Sequence, residues 1–548
     1  MSPTLRLPIL AILLLVGLGM PARAGAASDS AVASAVNALL ASGDPLVVDG
    51  VTLNASQVWA LYEGRSGSAL WQGRVEAVTK ILAAANDEGL DPATYHVAAI
   101  IARTHSESAE GMAALDLLVS DGLLRYAYDV RYGHSRPSHV TAEVALDPAP
   151  DPVPLVRSIA ALPDPSPALE DLPPKHAAYR GLRAALASYR AAFADGKRWP
   201  TVPDGPTIRP GNNDAAVPAL RARLIASGDL APGPDHGSRH YDANLVAAMK
   251  RFQDCHGLAP DGVVGPRGRA ALNVGIAERI QQIIVNMERW RWVPDELGNP
   301  RIVVNIAAAR LRLIDEDGTP VMEMPVIVGE TDKMTPMFSS AITHVIFNPT
   351  WTVPDKIARK ELLPKVQRDK AYFERQGIHL IGGWQPRAAG DDPEKLDWSG
   401  ARGAASFRLR QAPGPQNPLG RVKFLVPNVF GVYLHDTNSK RLFAKEQRTL
   451  SHGCVRVGDA LGLADHLLDG AQGWSEARRE RILSGWNTTT ITLAHPIPAH
   501  LMYETAWVDA DGRMHFVDDP YGRDHRLSEA LAGHAVEPVS ERVETAEP

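Results

Sequence analysis

The segment Leu450–Arg456 reads LSHGCVR and contains Cys454, one of only two cysteines among the 548 residues of the chain. Four roles are open to this thiol: a small buried hydrophobic residue, a metal ligand, half of a disulfide, or a nucleophile. The other cysteine, Cys255, lies in a segment that reads as a different domain. Although paired cysteines of exported proteins usually form disulfides, we do not expect these two to form one.

Two histidines near Cys454 favour the nucleophile. A cysteine attacks as its thiolate, and a free thiol with a pKa of about 8.5 is mostly protonated at neutral pH. His435 ends the apolar run Gly431–Leu434, and His452 lies two residues before the thiol. An imidazole can accept the thiol proton and then donate it to a leaving amine. Gly453 permits a close backbone approach, so that N–H groups of this loop can point at an oxyanion.

A zinc site made of His435, His452 and Cys454 is the alternative, because three protein ligands suffice for catalytic zinc. No C-x-x-C or H-E-x-x-H spacing accompanies these residues, which weakens the metal interpretation. We therefore expect no metal, and the residues alone favour thiol chemistry without proving it.

Short strands surround the LSHGCVR segment. Their predicted ranges are Arg301–Ala307, Arg310–Ile314, Val321–Val328, Ile342–Asn348, Arg421–Val426, Val429–Leu434 and Thr489–Leu493. Regular short strands with Gly, Asn and Pro turns predict a β-sandwich or barrel-like domain over residues 301–495, followed by a C-terminal extension, 496–548. Residues 355–420 form a long insertion with helical pieces, which we interpret as a lid over a binding cleft.

The first half of the chain is predicted to be mostly helical. Apolar residues recur at helical spacing in Val75–Ala85 and Ala114–Tyr132, whereas the proline-rich stretch 147–174 predicts loops. These segments predict a helical scaffold domain over 31–205. A further helix, Ala277–Trp292, indicates that residues 275–300 complete it.

A separate three-helix unit is predicted over residues 209–274. Val217–Ile225 and Asn244–Gln253 are amphipathic, and Asp261–Gly265 is a tight-turn signal before a third helix. The order LRARL, AAMKRFQ, HGL, DGVVG and ALN closely resembles the small three-helix peptidoglycan-binding domain. The resemblance covers nearly the whole unit.

The N-terminus predicts export. Arg6 precedes the apolar run Leu7–Met20, and Ala22-Arg23-Ala24 supplies a small-x-small cleavage pattern, which is typical of a signal peptide over residues 1–24. An uncleaved membrane anchor is the alternative, but the run is shorter than the ~20 residues of a spanning helix. No later segment reads as a transmembrane span. A net charge of −6 without a Lys/Arg block argues against nucleic acid as a partner.

The catalytic segment resembles the L,D-transpeptidase family. His435, sixteen residues before Ser451, is followed by the tetrad Ser451-His452-Gly453-Cys454, which matches the family signature. The segments PTWTVP (349–354), PGPQNPLG (413–420), VKF (422–424) and the tail 503–524 are also similar. The resemblance implies the larger Gram-negative type: a multidomain α+β protein with a β-sandwich-type catalytic domain, a mostly α-helical scaffold and an inserted peptidoglycan-binding domain.

The resemblance implies a two-step exchange on peptidoglycan stem peptides. Cys454 would attack diaminopimelate at position three of a donor tetrapeptide and form a thioester, and the amine of another stem would then give a 3→3 cross-link. His435 would be the general base and acid, with one ring nitrogen held by the backbone carbonyl of Asp436. His452, Gly453 and Cys454 would form the oxyanion hole, and no metal or organic cofactor is implied.

Four further residues are candidates for substrate binding: Arg456, Ser451, Tyr433 and Trp351. Many family members have Asn where this chain has Arg456. An arginine binds carboxylates in a bidentate manner, and stem peptides are rich in carboxylates. A salt bridge that holds the loop is an equal alternative for Arg456. Packing explains Tyr433 and Trp351 nearly as well as substrate contact does.

Three functions remain open to this sequence. The first is an exported, periplasmic, cell-wall-associated transpeptidase that acts on stem peptides, contacts glycan strands and is acylated by carbapenems, as the resemblance implies. The second is an L,D-carboxypeptidase, or a hydrolase that detaches wall-bound proteins, with the same thioester captured by another acceptor. The third is a non-catalytic peptidoglycan-binding protein, against which the intact His435 and Cys454 argue.

Overall fold

The structure is a computed structural model that describes residues 27–145, 149–196, 198–234, 237–382 and 407–533. The predicted signal peptide, 1–24, lies outside the described residues, as do the middle of the predicted insertion and the end of the predicted C-terminal extension. In the part of the chain that is described, every helix is too short or too polar to cross a membrane.

Helices account for most of the described residues in the first half of the chain and recur in the second half. In chain order they are α1 (Asp29–Leu40), α2 (Ala55–Tyr62), α3 (Val75–Ala83), α4 (Val97–Arg103), α5 (Ala109–Tyr132), α6 (Pro137–Val140), α7 (Val153–Ala160), α8 (Ser166–Glu170), α9 (Ala177–Ala194), α10 (Val217–Ala226), α11 (Ala243–Cys255), α12 (Pro266–Leu272), α13 (Ile276–Arg291), α14 (Asp355–Ile357), α15 (Leu363–Arg368), α16 (Tyr372–Gln376), α17 (Ala460–Leu468), α18 (Glu476–Leu483) and α19 (Arg523–Leu531). A π-helical turn, Ala358–Leu362, joins α14 to α15.

The strands lie mainly in the second half of the chain. In chain order they are β1 (Val47–Val48), β2 (Val51–Thr52), β3 (Val144–Ala145), β4 (Arg301–Asn305), β5 (Arg310–Ile314), β6 (Pro320–Gly329), β7 (Met337–Phe347), β8 (Trp351–Thr352), β9 (Ile378–Gly382), β10 (Phe407–Gln411), β11 (Val422–Leu425), β12 (Leu434–His435), β13 (Thr449–Ser451), β14 (Val455–Val457), β15 (Thr489–Met502), β16 (Ala506–Val508) and β17 (Met514–Phe516).

The chain divides into two compact units, and the first comprises residues 1–83, 92–126 and 152–169. Its described part is helical and is organised around a buried carboxylate, Asp116, on α5. Asp116 accepts hydrogen bonds from the Tyr62 hydroxyl, from the Leu70 N–H at 2.9 Å and from the Trp71 N–H at 2.8 Å. The Trp71 indole N–H donates to Ser120 Oγ at 2.8 Å. A buried polar group is tolerated when it is fully hydrogen-bonded, as this one is.

The second unit, residues 84–91, 127–151 and 170–548, contains a ten-stranded sheet that closes on itself. Nine strands follow the order β11-β12-β14-β6-β5-β4-β15-β7-β3, and the tenth, β13, pairs with β6 beside them. Strand β11 also pairs with β7, which closes the ring. The inward side chains form one apolar core, including Ile302, Val304, Leu311 and Leu434 at 0% exposure. Each such side chain contributes about 1.5–3 kcal/mol on burial. This closed sheet is the framework of the site.

The three helices α10, α11 and α12 have a core of their own. Leu220, Leu245, Phe252 and Leu272 are fully buried in it. Helix α11 begins at Ala243 because Asp242 caps it, with its carboxylate accepting the Leu245 N–H at 3.0 Å. The predicted three-helix unit is therefore present in this part of the chain.

The described part of the insertion also has a small core and a sheet that the sequence did not predict. Strands β8, β10 and β9 pair in that order, and Leu362, Phe373 and Leu409 are buried beneath them and the helices α14–α16. The helical pieces were predicted, and the strands, of two to five residues each, were missed because they pair with partners far along the chain.

The structure confirms the mixed fold class and corrects one local prediction. The predicted strand Val429–Leu434 is mostly a turn, since only Leu434 and His435 pair as β12, and Asn428 holds the preceding residues with hydrogen bonds to the Phe430 and Val432 N–H groups. The described part of the proline-rich stretch 147–174 contains loops, as predicted, and between them the helices α7 and α8. Proline occupies first-turn positions there, where its missing N–H costs nothing.

Candidate active site

The candidate site lies on three adjacent strands of the closed sheet, β11, β12 and β14. Lys423 on β11 is the register partner of His435 on β12, and His435 is beside Arg456 on β14. Register partners in neighbouring strands face the same side of a sheet, so these three side chains form one row. Tyr433 and Cys454 directly precede β12 and β14, and the interactions of Cys454 with Tyr433, Lys423 and Arg456 place both residues on this side.

Ring contacts support this arrangement. The Tyr433 and His435 rings lie 5.6 Å apart, edge to face, and Lys423 Nζ lies 3.8 Å from the centre of the Tyr433 ring. Tyr433 is therefore a cation–π partner of Lys423 and an aromatic neighbour of His435.

The His435 imidazole is fixed by its own backbone neighbour. Its Nδ1 donates to the Asp436 carbonyl at 2.5 Å, which is the hydrogen bond that the resemblance implied. Because a carbonyl can only accept, Nδ1 carries the proton and Nε2 is the free base of the neutral ring. Burial, together with the charges of Arg456 and Lys423, lowers the pKa of His435 to about 3 against the opposing effect of the Asp436 carbonyl. The ring is therefore a neutral base at physiological pH.

The Cys454 thiol is half-buried and has donors on its sulfur. The backbone N–H and the hydroxyl of Tyr433 both hydrogen-bond to it. Burial raises the pKa of the Cys454 thiol, while the Tyr433 donors and the charges of Lys423 and Arg456 act in the opposite direction. The resting thiol is thus protonated, and its surroundings are arranged to stabilise the thiolate once the proton leaves.

Lys423 and Arg456 are half-buried cations, and neither forms an ion pair with a carboxylate among the described residues. Burial lowers the pKa of both side chains. For each, the charge of the Cys454 sulfur is the largest effect in the opposite direction. The nearest carboxylate to influence Arg456 is Glu330, which is itself paired with Lys333 at 2.9 Å. The salt bridge considered for Arg456 is therefore not found in this part of the chain.

The loop that carries the thiol is held on both sides of Gly453. This glycine has φ +111°, a conformation that an L side chain rarely adopts. Its N–H donates to Ser451 Oγ at 3.2 Å, and the Ser451 hydroxyl donates to the Cys454 carbonyl at 2.6 Å. Its own carbonyl accepts from Thr335 Oγ1 at 2.8 Å. Ser451, a predicted substrate contact, thus bonds within the loop.

His452 is exposed and contacts the insertion. Its Nε2 lies 2.5 Å from Glu361 Oε1 in the π-helical turn. Within the described ranges, no three His, Cys, Asp or Glu side chains converge as metal ligands would. The three residues of the zinc alternative thus have separate partners: a carbonyl for His435, a carboxylate for His452 and Tyr433 for Cys454.

Trp351, the remaining predicted contact, belongs to the site's surroundings. Its side chain hydrogen-bonds to the Tyr433 hydroxyl, and it lies on β8, the first strand of the insertion's sheet. The Tyr433 hydroxyl therefore joins the thiol to the insertion.

Comparison with known families assigns these regions. The L,D-transpeptidase catalytic domain of the YkuD family matches residues 299–474, which include the whole site. The chain contains an L,D-transpeptidase catalytic domain. A scaffold domain matches residues 56–186, and a family described as "Putative peptidoglycan binding domain" matches residues 213–272. These matches confirm the predicted family and the three predicted kinds of domain.

Two known proteins illustrate the similarity. A "Putative L,D-transpeptidase" of Haemophilus influenzae is 34% identical over 248 residues, which cover 45% of this chain and 49% of that protein. The chain thus matches about half the length of that curated relative. The crystal structure of L,D-transpeptidase (Yku) from Stackebrandtia nassauensis is 13% identical and covers 55% of this chain and 96% of that chain, with a TM-score of 0.20, too low to inform the fold.

The structure brings together most of the predicted residues and adds three others. Cys454, His435, Arg456 and Tyr433 share one face, and Trp351 reaches them through Tyr433. The sequence reasoning assigned no role to Lys423, Thr335 and Glu361. Lys423 had a usable signal, since it alternates with the buried Val422 and Phe424 and so faces away from the core. The other two act across long sequence separations and carry no local signal.

Proposed function

We propose that this L,D-transpeptidase forms 3→3 cross-links between peptidoglycan stem peptides through a thioester on Cys454. The observation that carries the proposal is the row of Lys423, His435 and Arg456 on one sheet face with Cys454. A thiol and a neutral imidazole are the groups that cysteine acyl transfer requires, and neighbouring cations favour the thiolate. The match to the catalytic domain gives the same reaction class.

In the first step, His435 Nε2 accepts the Cys454 proton, and the sulfur attacks the carbonyl of diaminopimelate at position three of the donor. The C–S bond forms and the C–N bond to the terminal D-alanine breaks. The His435 proton passes to the departing amine. In the second step, the side-chain amine of another stem attacks the thioester, and the new C–N bond forms as the C–S bond breaks. His435 accepts a proton from the attacking amine and passes it to the leaving thiolate. The neutral tautomer fixed by Asp436 suits both transfers.

The backbone of the LSHGCVR segment would stabilise the tetrahedral oxyanion. The Gly453 N–H already donates to Ser451 Oγ, whereas no described residue accepts the Cys454 N–H. We therefore assign the oxyanion contact to the Cys454 N–H, assisted by the His452 end of the loop. Gly453 contributes through its backbone conformation, a φ of +111°, and not through its own N–H.

The charges of Lys423 and Arg456 support the proposal that the substrate carries negative charge. Both are half-buried and lack a carboxylate partner among the described side chains, so an incoming carboxylate would compensate charges that are costly to bury alone. Stem peptides supply such carboxylates, and an arginine can bind one in a bidentate manner. The same two charges favour the Cys454 thiolate.

The remaining parts of the proposal concern location. The leader-like segment 1–24 and the peptidoglycan-binding match at 213–272 support the proposal of an exported, periplasmic protein that binds the cell wall.

Two further parts of the proposal concern the catalytic domain. Residues 355–420 act as a lid, and carbapenems acylate Cys454 as the peptide does.

Mass spectrometry of the purified protein with a tetrapeptide muropeptide tests the function. The expected product is a dimer that retains one fewer D-alanine, formed through an adduct on Cys454. A bare tripeptide would instead indicate an L,D-carboxypeptidase, and unchanged peptide would indicate a binding protein. Cys454→Ala is the matched control, and an adduct that persisted in it would exclude the proposed nucleophile.

A further inference from the structure

Thr335, in the connection between β6 and β7, is fully buried, and each of its polar groups has a partner. Its N–H donates to the Tyr521 hydroxyl at 3.3 Å, and its carbonyl accepts from Arg523 Nη2 at 3.3 Å. Its hydroxyl accepts the Gly329 N–H at 2.9 Å and donates to the Gly453 carbonyl at 2.8 Å. Thr335 is therefore a fixed donor to the peptide group that precedes the nucleophile.

The direction of this hydrogen bond determines where the Cys454 N–H points. The Gly453 carbonyl and the Cys454 N–H belong to the same peptide unit, and in a trans peptide the two point in opposite directions. A donor on the carbonyl side therefore holds the N–H toward the other side of the loop. No described residue accepts that N–H, so it remains available to a ligand.

The contact matters because Gly453 alone would not fix this peptide. A glycine visits both signs of φ at low cost, so the adjoining peptide plane can rotate. If it flipped, the Gly453 carbonyl oxygen would take the place of the N–H and would repel a developing oxyanion. An oxyanion donor contributes to catalysis when it is oriented before the reaction.

The C-terminal segment holds Thr335 in place. The Tyr521 hydroxyl that accepts the Thr335 N–H donates to the Gly329 carbonyl at 2.7 Å, and the Tyr521 N–H donates to the Tyr503 hydroxyl at 3.0 Å. The Arg523 guanidinium lies 5.0 Å from both tyrosine rings. Gly329 also leaves no room for adjustment, since a Cβ there would lie 2.0 Å from the Lys333 carbonyl oxygen.

We propose that Thr335 is a positioning residue for the oxyanion: it orients the Cys454 N–H through the Gly453 carbonyl, and Tyr521 of the C-terminal segment orients Thr335. The inference rests on the proposed function, because it assigns the donor that the acyl transfer uses. It also gives the segment around Tyr503–Arg523 a role in acylation.

The test compares two reactions of the same thiol in the full-length protein. Acylation by the tetrapeptide muropeptide passes through an oxyanion, whereas alkylation by iodoacetamide does not. In Thr335→Val, which keeps the shape and removes the hydroxyl, we expect the acylation rate to fall about 10²-fold, the magnitude typical for a lost oxyanion donor. The KM and the alkylation rate should stay within about twofold, because substrate binding and thiolate formation do not use Thr335.

Two variants separate positioning from simple destabilisation. Thr335→Ser retains the hydroxyl and should restore most of the acylation rate. Thr343→Val is the matched control for the chemical change, since the Thr343 hydroxyl contacts Leu425 and His344 instead. If Thr335→Val does not fold, Tyr521→Phe tests the same path, with acylation slowed several-fold and alkylation unchanged.

Parallel loss of acylation and alkylation would overturn the inference, as would unchanged acylation in Thr335→Val. A wild-type protein that leaves the muropeptide unchanged would contradict the proposed function instead. The inference is then tested with an activated phenyl ester as the acyl donor, which also forms an oxyanion on Cys454.

Discussion

The two cysteines of this protein occupy environments of opposite electrostatic character. Cys255, at the end of α11, is 6% exposed, and burial raises its pKa to about 11, with Asp229, Asp254 and Asp509 adding to the effect and only Arg513 opposing it. Burial also raises the pKa of Cys454, but there Tyr433, Lys423 and Arg456 all favour the thiolate. Burial alone therefore does not distinguish a packed thiol from a reactive one. The sign of the neighbouring charges distinguishes the two thiols.

The largest effect should separate the two thiols directly. Cys454→Ala is expected to reduce cross-linking by about 10³-fold or more, because no other group can carry the acyl chain. Cys255→Ala should leave the rate within about twofold, with a modest loss of stability from the small cavity. Product formation and intact-protein mass after incubation with the muropeptide measure both. Comparable losses of cross-linking rate in the two variants would contradict the proposed difference between a reactive Cys454 and a packed Cys255.

The second effect concerns the base. His435→Gln should lower the rate by about 10²–10⁴-fold, the usual contribution of a general acid–base residue. Removal of the histidine should also change how stability depends on pH. The folded pKa of about 3 lies below that of an ordinary histidine, so the unfolded chain binds more protons between these values.

The wild-type protein should consequently lose stability as the pH falls from about 6.5 toward 3, because the proton favours the unfolded chain over that range. His435→Gln should flatten this part of the profile, as measured by Tm against pH. Equal slopes in the two proteins would show that His435 is not buried in its neutral form.

The smallest effect tests the cations. Lys423→Met should raise the pH midpoint of Cys454 alkylation by about one unit, because a nearby positive charge is removed, whereas Lys423→Arg should keep it near the wild-type value. Alkylation of Cys255, followed by peptide mapping in the same samples, is the internal control and should not change. A midpoint that stayed fixed in Lys423→Met would show that Lys423 does not stabilise the thiolate.

Sequence reasoning predicted the family and fold class because these depend on local patterns. The alternation of Arg301–Asn305 is enough to predict a strand, and the tetrad Ser451–Cys454 is specific enough to indicate the chemistry. It did not predict the strands of the insertion, or that Val429–Tyr433 is a turn held by Asn428. Those outcomes depend on partners far along the chain, or on one amide's hydrogen bonds.

The sequence by itself determined which reactive groups this protein has: a thiol, a histidine and a glycine in one short motif, and a second histidine sixteen residues before Ser451. Only the tertiary structure decided how they are used. Sheet closure brings Lys423, His435 and Arg456 from three separate segments into one row, and the register places them on the same face. Thr335 meets the nucleophile loop at Gly453 across 118 residues, and Tyr521 binds Gly329, at the end of β6, across 192 residues. A side chain's charge environment and a peptide's orientation are set by neighbours in space, and no local pattern encodes those neighbours.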